Sequence, residues 1–330
     1  MYGNNWWDTW DIINWEQDSD DRIRYLINRF HLEKVNFNVK YPRHGEYESP
    51  LYFAVVASAS SDIIELLIKY GADPTLKIKT PWTISRDGCL ERYPYNEWTL
   101  LHTAAAAYAS CGEAADALCK FVPSIINEKD NCGLTALHIA ASQGKTEVIR
   151  ALIKHKADLN ARDFEGWTPL HLAAHNGYFK SVSALAKAGA DLYAKTKDGD
   201  MAIHLAARGE EIEVNPHDEL EAYLASRHNH SKVIHALAKQ GFDLNAKNDE
   251  KETAFFLATS YGNKKTAKAL IKEGADINIK NGYGETALEH AINYGHIKTA
   301  KVLIKAGAKL RKTYITNKYA LGLLEKQRGE

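Results

Sequence analysis

The chain has 330 residues, 45% hydrophobic and 25% charged, and its 42 basic and 42 acidic side chains cancel. That is a foldable composition, large enough for two globular domains or one extended array, and a balanced total gives no bulk attraction to nucleic acid or to an anionic membrane. No run of about 18 apolar residues is present to cross a bilayer, the first residues lack the basic-then-apolar order of a secretory leader, and Cys89, Cys111, Cys119 and Cys132 form no CxxC pair; a soluble protein with buried thiols in a reducing compartment is expected.

Residues 1–43 open the chain with four of its seven tryptophans, Trp6, Trp7, Trp10 and Trp15, and the first 21 residues carry six acidic side chains and no basic one. Trp6 and Trp10 are one helical turn apart, and the Asp-rich stretch 18–21 predicts a helix through Ile23, Leu26, Ile27 and Phe30. Two readings stand for this segment: a cap over the first repeat, or a docking surface built from its tryptophans.

From residue 44 a pattern sets in. Ser49-Pro-Leu-Tyr52-Phe-Ala is followed 50 residues later by Thr99-Leu-Leu-His102-Thr-Ala-Ala, with about 17 extra residues near Lys77–Tyr93 that include Trp82 and Cys89. Thr135-Ala-Leu-His138, Thr168-Pro-Leu-His171 and Met201-Ala-Ile-His204 then recur at intervals of 33. A further 19 residues are inserted near 209–227, with six acids against one arginine and a predicted helix start at Asn215-Pro216. That insertion reads equally as an attractor for a basic partner or as a solvated helix. Thr253-Ala-Phe-Phe256 and Thr286-Ala-Leu-Glu289 continue the period of 33, and residues 309–330, with six basic and two acidic side chains, predict a short helix near Tyr319–Lys326.

Each position has a physical reason. A threonine hydroxyl caps a helix N-terminus, Pro169 suits the first helical position, and Leu170, Ala173 and Ala174 give a thin apolar face. Gly144, Gly177, Gly262 and Gly295 stand where a first helix must end in a left-handed residue, and Gly189, Gly274 and Gly307 do so after a second helix. Asn229 is in register with Gly177 and is expected to replace it in that conformation, while Lys156, where glycine belongs, predicts strain. Second helices such as 148–153 and 267–271 place apolar residues at i, i+3 and i+4, and no single repeat can bury such a face alone.

In these motifs and spacings the chain resembles the ankyrin-repeat family over roughly residues 44–309. The resemblance implies an all-α ankyrin-repeat solenoid of about seven repeats, with 1–43 and 309–330 as helical N- and C-terminal caps and 44–308 as the repeats. It implies that His102, His138, His171 and His204 bond backbone groups of adjacent turns, so that Tyr52, Phe256 and Glu289 mark repeats of expected irregularity. Asn160, Asn245 and Asn278 lie in segments similar to those that an asparaginyl hydroxylase modifies in some ankyrin proteins, and equally in plain consensus.

The function implied is that of a cytoplasmic, monomeric scaffold or adaptor that holds one protein partner, with no cofactor, no specific nucleic acid and no membrane. Ankyrin hairpin tips and first-helix ends point away from the stack, which nominates Trp98, Phe164, Glu165, Trp167, His175 and Asn176, and in the last two repeats Tyr261, Tyr283, Glu285, Asn293 and Tyr294. Aromatics at such positions are not required for folding and are enriched at binding hot spots; the competing reading is that some pack on adjacent hairpins. The runner-up is an effector of an intracellular bacterium acting in a host cytosol, suggested by the Lys-, Asn-, Ile- and Tyr-rich spelling. An enzyme is the third class, and little supports it: no phosphate-binding loop, G-x-S-x-G elbow or H-E-x-x-H occurs, and Cys89 with a distant histidine specifies nothing. His217, His228, His230 and His235 cluster in sequence, but no cysteine joins them, so no metal site is expected. If the repeat is read correctly, Leu170→Ala removes ~2–5 kcal/mol from the unfolding free energy in a denaturant titration, whereas a loss below ~0.5 kcal/mol would mean the register is wrong.

Overall fold

The computed structural model describes residues 20–32, 34, 36–38, 41–43, 46–84, 90–107, 111–209, 229–311, 315–318 and 322. The Trp-rich stretch 1–19, Cys89, most of the acidic insertion and most of the expected C-terminal helix lie outside the described residues. The chain forms two compact units, Met1–Phe164 and Glu165–Glu330.

The first unit begins with α1 (Asp20–Leu32), whose buried face is Ile23, Leu26, Ile27 and Phe30, as the 3- and 4-residue spacing requires. A short antiparallel pair comes next, β1 (Tyr41–Arg43) with β2 (Glu46–Glu48). Then come α2 (Pro50–Val56) and α3 (Ser61–Lys69), the hairpin β3 (Ile78–Ile84) and β4 (Leu90–Trp98), α4 (Leu100–Ala106), α5 (Gly112–Phe121), α6 (Ala136–Ser142) and α7 (Thr146–Lys154). The inserted residues near Lys77–Tyr93 therefore lengthen a hairpin into a ribbon, with its register shifted between Thr80 and Trp82. In this unit α2, α4 and α6 pack in one row and α3, α5 and α7 in a second, with α1 against α3.

The second unit repeats the pairing: α8 (Pro169–His175) with α9 (Phe179–Lys187), α10 (Ala202–Arg208) with α11 (His230–Lys239), α12 (Ala254–Ser260) with α13 (Lys264–Lys272), and α14 (Ala287–Asn293) with α15 (Ile297–Lys305). First helices α8, α10, α12 and α14 pack in sequence, as do second helices α9, α11, α13 and α15. The fold is an all-α repeat, and Leu170, 1% exposed, sits in its core.

Capping chemistry explains why helices this short begin where they do. Thr168 Oγ1 accepts from the His171 amide at 3.4 Å, and the Thr168 amide donates to His171 Nδ1 at 3.0 Å, so two orphan donors are satisfied reciprocally. With Nδ1 accepting, the ring carries its proton on Nε2 and donates it to the Ala194 carbonyl at 2.9 Å. His102 and His204 repeat this toward Leu134 O at 3.0 Å and Ala246 O at 3.1 Å. The histidines thus tie each cap to the next hairpin, as the resemblance implied.

Several expectations change. The first helices at Tyr52, Phe256 and Glu289 span seven residues like the others, and the irregularity expected there is confined to their caps and, after α2, to Ser58, which takes the left-handed turn with φ 56°. Ser49 and Thr253 cap their helices without help from the third position, and at Glu289 a carboxylate takes the histidine's part, accepting from the Thr286 amide at 2.9 Å. Arg311 grips Glu289 through two hydrogen bonds of 2.7 Å. Burial alone would raise the Glu289 carboxyl, but the bonds from Arg311 and Thr286 outweigh it and hold it below the ordinary carboxylate range. Asn229 is not left-handed (φ −131°); it ends the insertion and caps α11 instead, its side chain accepting from the Lys232 amide. A capping asparagine needs extended backbone, which excludes the left-handed region.

The glycine turns form as predicted. After α8, Gly177 (φ +70°) donates to Ala174 O at 3.1 Å and Tyr178 to Ala173 O at 2.9 Å, the paired bonds of a Schellman motif. Lys156 makes the same turn with φ 59°, at a cost of roughly 1–2 kcal/mol for its Cβ. Cys111 and Cys119 are buried free thiols, and burial pushes Cys119 up to about 12.

Burial lowers His204 to about 4, because an imidazolium would lose its hydration and could no longer accept from the cap amide. Between that value and the unfolded value of about 6.5 the unfolded chain binds the extra proton, so this contribution is complete above pH ~6.5 and fades as pH falls toward ~4. Asp200 and Glu252, both raised mainly by burial, act in the opposite sense, so the His204 contribution is read against a variant. Wild type is expected to lose its stability advantage over His204→Gln as pH is lowered through this window, measured by urea unfolding; a constant difference would show that the ring is not held neutral.

Candidate partner-binding surface

The hairpin tips are built by side chains that replace missing backbone partners. Asp130 Oδ1 accepts from the Cys132 and Leu134 amides at 2.9 and 2.8 Å, while its Oδ2 accepts from Asn96 Nδ2 at 2.9 Å and Trp98 Nε1 at 3.3 Å. Asn281 Oδ1 accepts in the same way from the Tyr283 and Glu285 amides at 2.9 and 3.0 Å. Such turns hold the backbone of the tips fixed, so the side chains they carry are presented in a defined direction.

In the first unit the two nominated aromatics separate. Trp98 is buried at 7% exposure, its ring nitrogen committed to Asp130. Phe164 is exposed, yet one edge of its ring lies against Gly133 of the preceding tip, where a Cβ would come within 2.9 Å of Phe164 Cδ1. Packing on the neighbouring hairpin therefore accounts for part of its position.

In the second unit Trp167 is 5% exposed and meets His175 edge-to-face with ring centroids 5.4 Å apart. Asn176 is also buried, its amide donating to Leu172 O at 3.1 Å. The expectation that Trp98, Trp167 and Asn176 project freely is thus corrected, and so is the idea that Trp167 is dispensable for folding. Trp167 stands just before the Thr168 N-cap, a position from which an apolar side chain can pack back on the first turn of its helix, and its ring centroid lies 6.3 Å from that of His171. Leu134 and Asp200, which hold that position before α6 and α10, are buried too. An apolar Leu134 in this register was the available sequence signal.

The remaining nominated residues reach solvent to different degrees. Tyr261 and Tyr294 are the C-cap residues of α12 and α14, 58% and 69% exposed, and Tyr283 on the tip before α14 is 86% exposed. Tyr294 is held by stacking on His290 at 4.2 Å, and His290 in turn meets Phe256 edge-on at 4.9 Å. Burial lowers the His290 ring, with His296 adding to the effect, so a neutral imidazole supports the tyrosine. Glu165 is exposed, and His175 and Glu285 are half-buried. Asn293 is half-buried and accepts from the Thr316 amide at 2.8 Å, so it anchors the chain after α15. Sequence reasoning missed Tyr193, half exposed and stacked on Phe242 at 4.6 Å, its hydroxyl accepting from the Asp243 amide.

The histidine cluster does not converge among the described residues. His230 is buried and donates from Nε2 to His175 O at 2.8 Å, whereas His235 faces solvent against Glu273 at 3.0 Å; His217 and His228 lie outside the described residues. No group of three or more His, Cys, Asp or Glu side chains placed to hold a metal occurs among the described residues, and no described helix is long and apolar enough to cross a membrane.

Comparison with family models matches ankyrin repeats in three copies, over residues 81–163, 101–196 and 222–314, and a single ankyrin repeat over 46–79. Comparison with curated proteins gives no match. Because Trp167 fills a core site, Trp167→Ala is expected to cost ~3–5 kcal/mol in thermal or denaturant unfolding; a change below ~1 kcal/mol would mark it as a free surface aromatic after all.

Proposed function

This chain belongs to the ankyrin-repeat family, and on that premise we propose that it is a non-catalytic scaffold which holds a protein partner on the hairpin tips and first-helix ends of the Glu165–Glu330 unit. Ankyrin repeats are in general protein–protein interaction scaffolds. The observation that carries the finer reading is the trio Tyr261, Tyr283 and Tyr294, three large aromatics exposed within two successive repeats at positions the fold leaves free.

Exposed tyrosines at fixed backbone positions suit this role. Two side-chain torsions per tyrosine leave little entropy to lose on binding, and the ring offers both apolar area and a hydroxyl. Stacking on His290 orders Tyr294 before any partner arrives, which reduces the ordering cost further. Glu165, His175, Glu285 and Tyr193 are further exposed or half-buried polar groups of the same unit. Residues 1–43 and 309–330 serve as caps in this reading: α1 buries an apolar face on α3, and Arg311 closes over Glu289. A cytoplasmic location is in keeping with Cys111, Cys119 and Cys132 standing as thiols and not as disulfides.

A pull-down from lysate followed by titration of the captured protein tests the surface. The triple variant Tyr261→Ala, Tyr283→Ala, Tyr294→Ala is expected to weaken that complex by ~2 kcal/mol or more, about 30-fold in Kd, with the helical circular-dichroism signal unchanged. Unchanged affinity would exclude this patch.

A further inference from the structure

The balanced total charge conceals a segregation. The second helices of the Glu165–Glu330 unit, α9, α11, α13 and α15, hold eleven lysines and no acidic residue. The equivalent helices of the Met1–Phe164 unit, α3, α5 and α7, hold five acidic and four basic residues, the ordinary mixture of a solvated face. In the lysine-rich set the apolar residues of each helix point inward, Val182 and Leu185, Val233 and Leu237, Leu270, and Leu303 among them, so the lysines share the outer face. Ten of the eleven are exposed and Lys301 is half-buried. Since α9, α11, α13 and α15 pack in order, the four helices make one continuous basic face. The acid at the C-cap of α13, Glu273, is engaged by His235 at 3.0 Å, and Lys232 lies over the Phe179 ring at 4.8 Å.

The composition of this face selects among polyanions. Lysine is depleted in protein–protein interfaces, where its ammonium must be dehydrated and its four-bond stem immobilised, and arginine is preferred. These helices contain no arginine. Nucleic-acid faces add arginines for bidentate contacts and neutral donors that position the phosphodiester chain. On α13 and α15, which carry seven of the lysines, the hydroxyls of Thr266 and Thr299 are buried. What remains is a spread of hydrated point charges, which suits an anionic bilayer: attraction there acts through the surface potential within a Debye length of about 8 Å and needs no dehydration.

We propose that the second-helix face of the Glu165–Glu330 unit docks on the surface of a membrane rich in acidic phospholipid. The site lies on different helices from the tyrosine patch, so the two readings can fail separately.

The test is co-sedimentation of the full chain with vesicles of phosphatidylcholine alone or mixed with phosphatidylserine. Binding is expected only to the mixed vesicles, declining steeply as salt is raised, since the attraction of each lysine to such a surface is screened within a Debye length. A variant carrying Lys264→Gln, Lys268→Gln, Lys298→Gln and Lys301→Gln should bind at least ~100-fold more weakly with its helical signal intact, while a control with Lys69→Gln, Lys120→Gln and Arg150→Gln should bind as wild type. Absence of binding to the acidic vesicles at low salt, equal loss in the control, or tighter binding to duplex DNA than to the vesicles at the same salt would each overturn the proposal.

Discussion

Helices of seven to ten residues are too short to be stable alone in water, so every repeat helix in this protein depends on the neighbour it packs against. The first helices are seven residues long, and nearly every side chain of α8, from Pro169 to Ala174, is buried. Small residues make that possible: Ala173 and Ala174 keep the helix thin enough for α9 and α10 to pack closely against it. The same demand falls on polar groups. A buried cap amide must find an acceptor, and a buried ring nitrogen must find a carbonyl. The Thr-x-x-His motif meets both needs with one side chain, since Nδ1 takes the amide of its own cap and Nε2 reaches the next hairpin. Sequence, cap, packing and coupling between repeats are joined at that ring.

The substitutions at this position show what the constraint requires. Glu289 can accept at the cap but cannot donate onward, and the demand its buried charge creates is met by Arg311. Phe256 can do neither, and Thr253 alone caps α12. Both helices keep their length, so the motif strengthens coupling without being needed to define the helix.

Much of this was legible in the sequence because it is local and periodic. The interval of 33, the threonine caps, the glycine turns and the left-handed Lys156 each follow from a residue type at a fixed offset, and the α1 face followed from the spacing of Ile23, Leu26, Ile27 and Phe30. The surface was harder to read. Position in a consensus says that a residue is near a tip but not which way it turns, and Trp167 turned inward over its own helix while Tyr283 turned out. Asn229 failed for a related reason: alignment across an insertion preserved the count but not the backbone, and the chain used its side chain as a cap. The basic face was invisible to total charge, since lysines in the second helices are offset by acids elsewhere. In the second unit Tyr261, Tyr283 and Tyr294 stand on first-helix ends and a tip, whereas the second helices carry eleven lysines and no acid.

The coupling between repeats can be measured residue by residue through native-state amide exchange in His171→Ala. If the ring joins two repeats, protection should fall together in α8 and in the next hairpin, including the Thr196 and Gly199 amides that bond Asp200 O and Thr196 O. Loss of protection confined to the first turn of α8, with that hairpin exchanging as in wild type, would show that the histidine is only a cap.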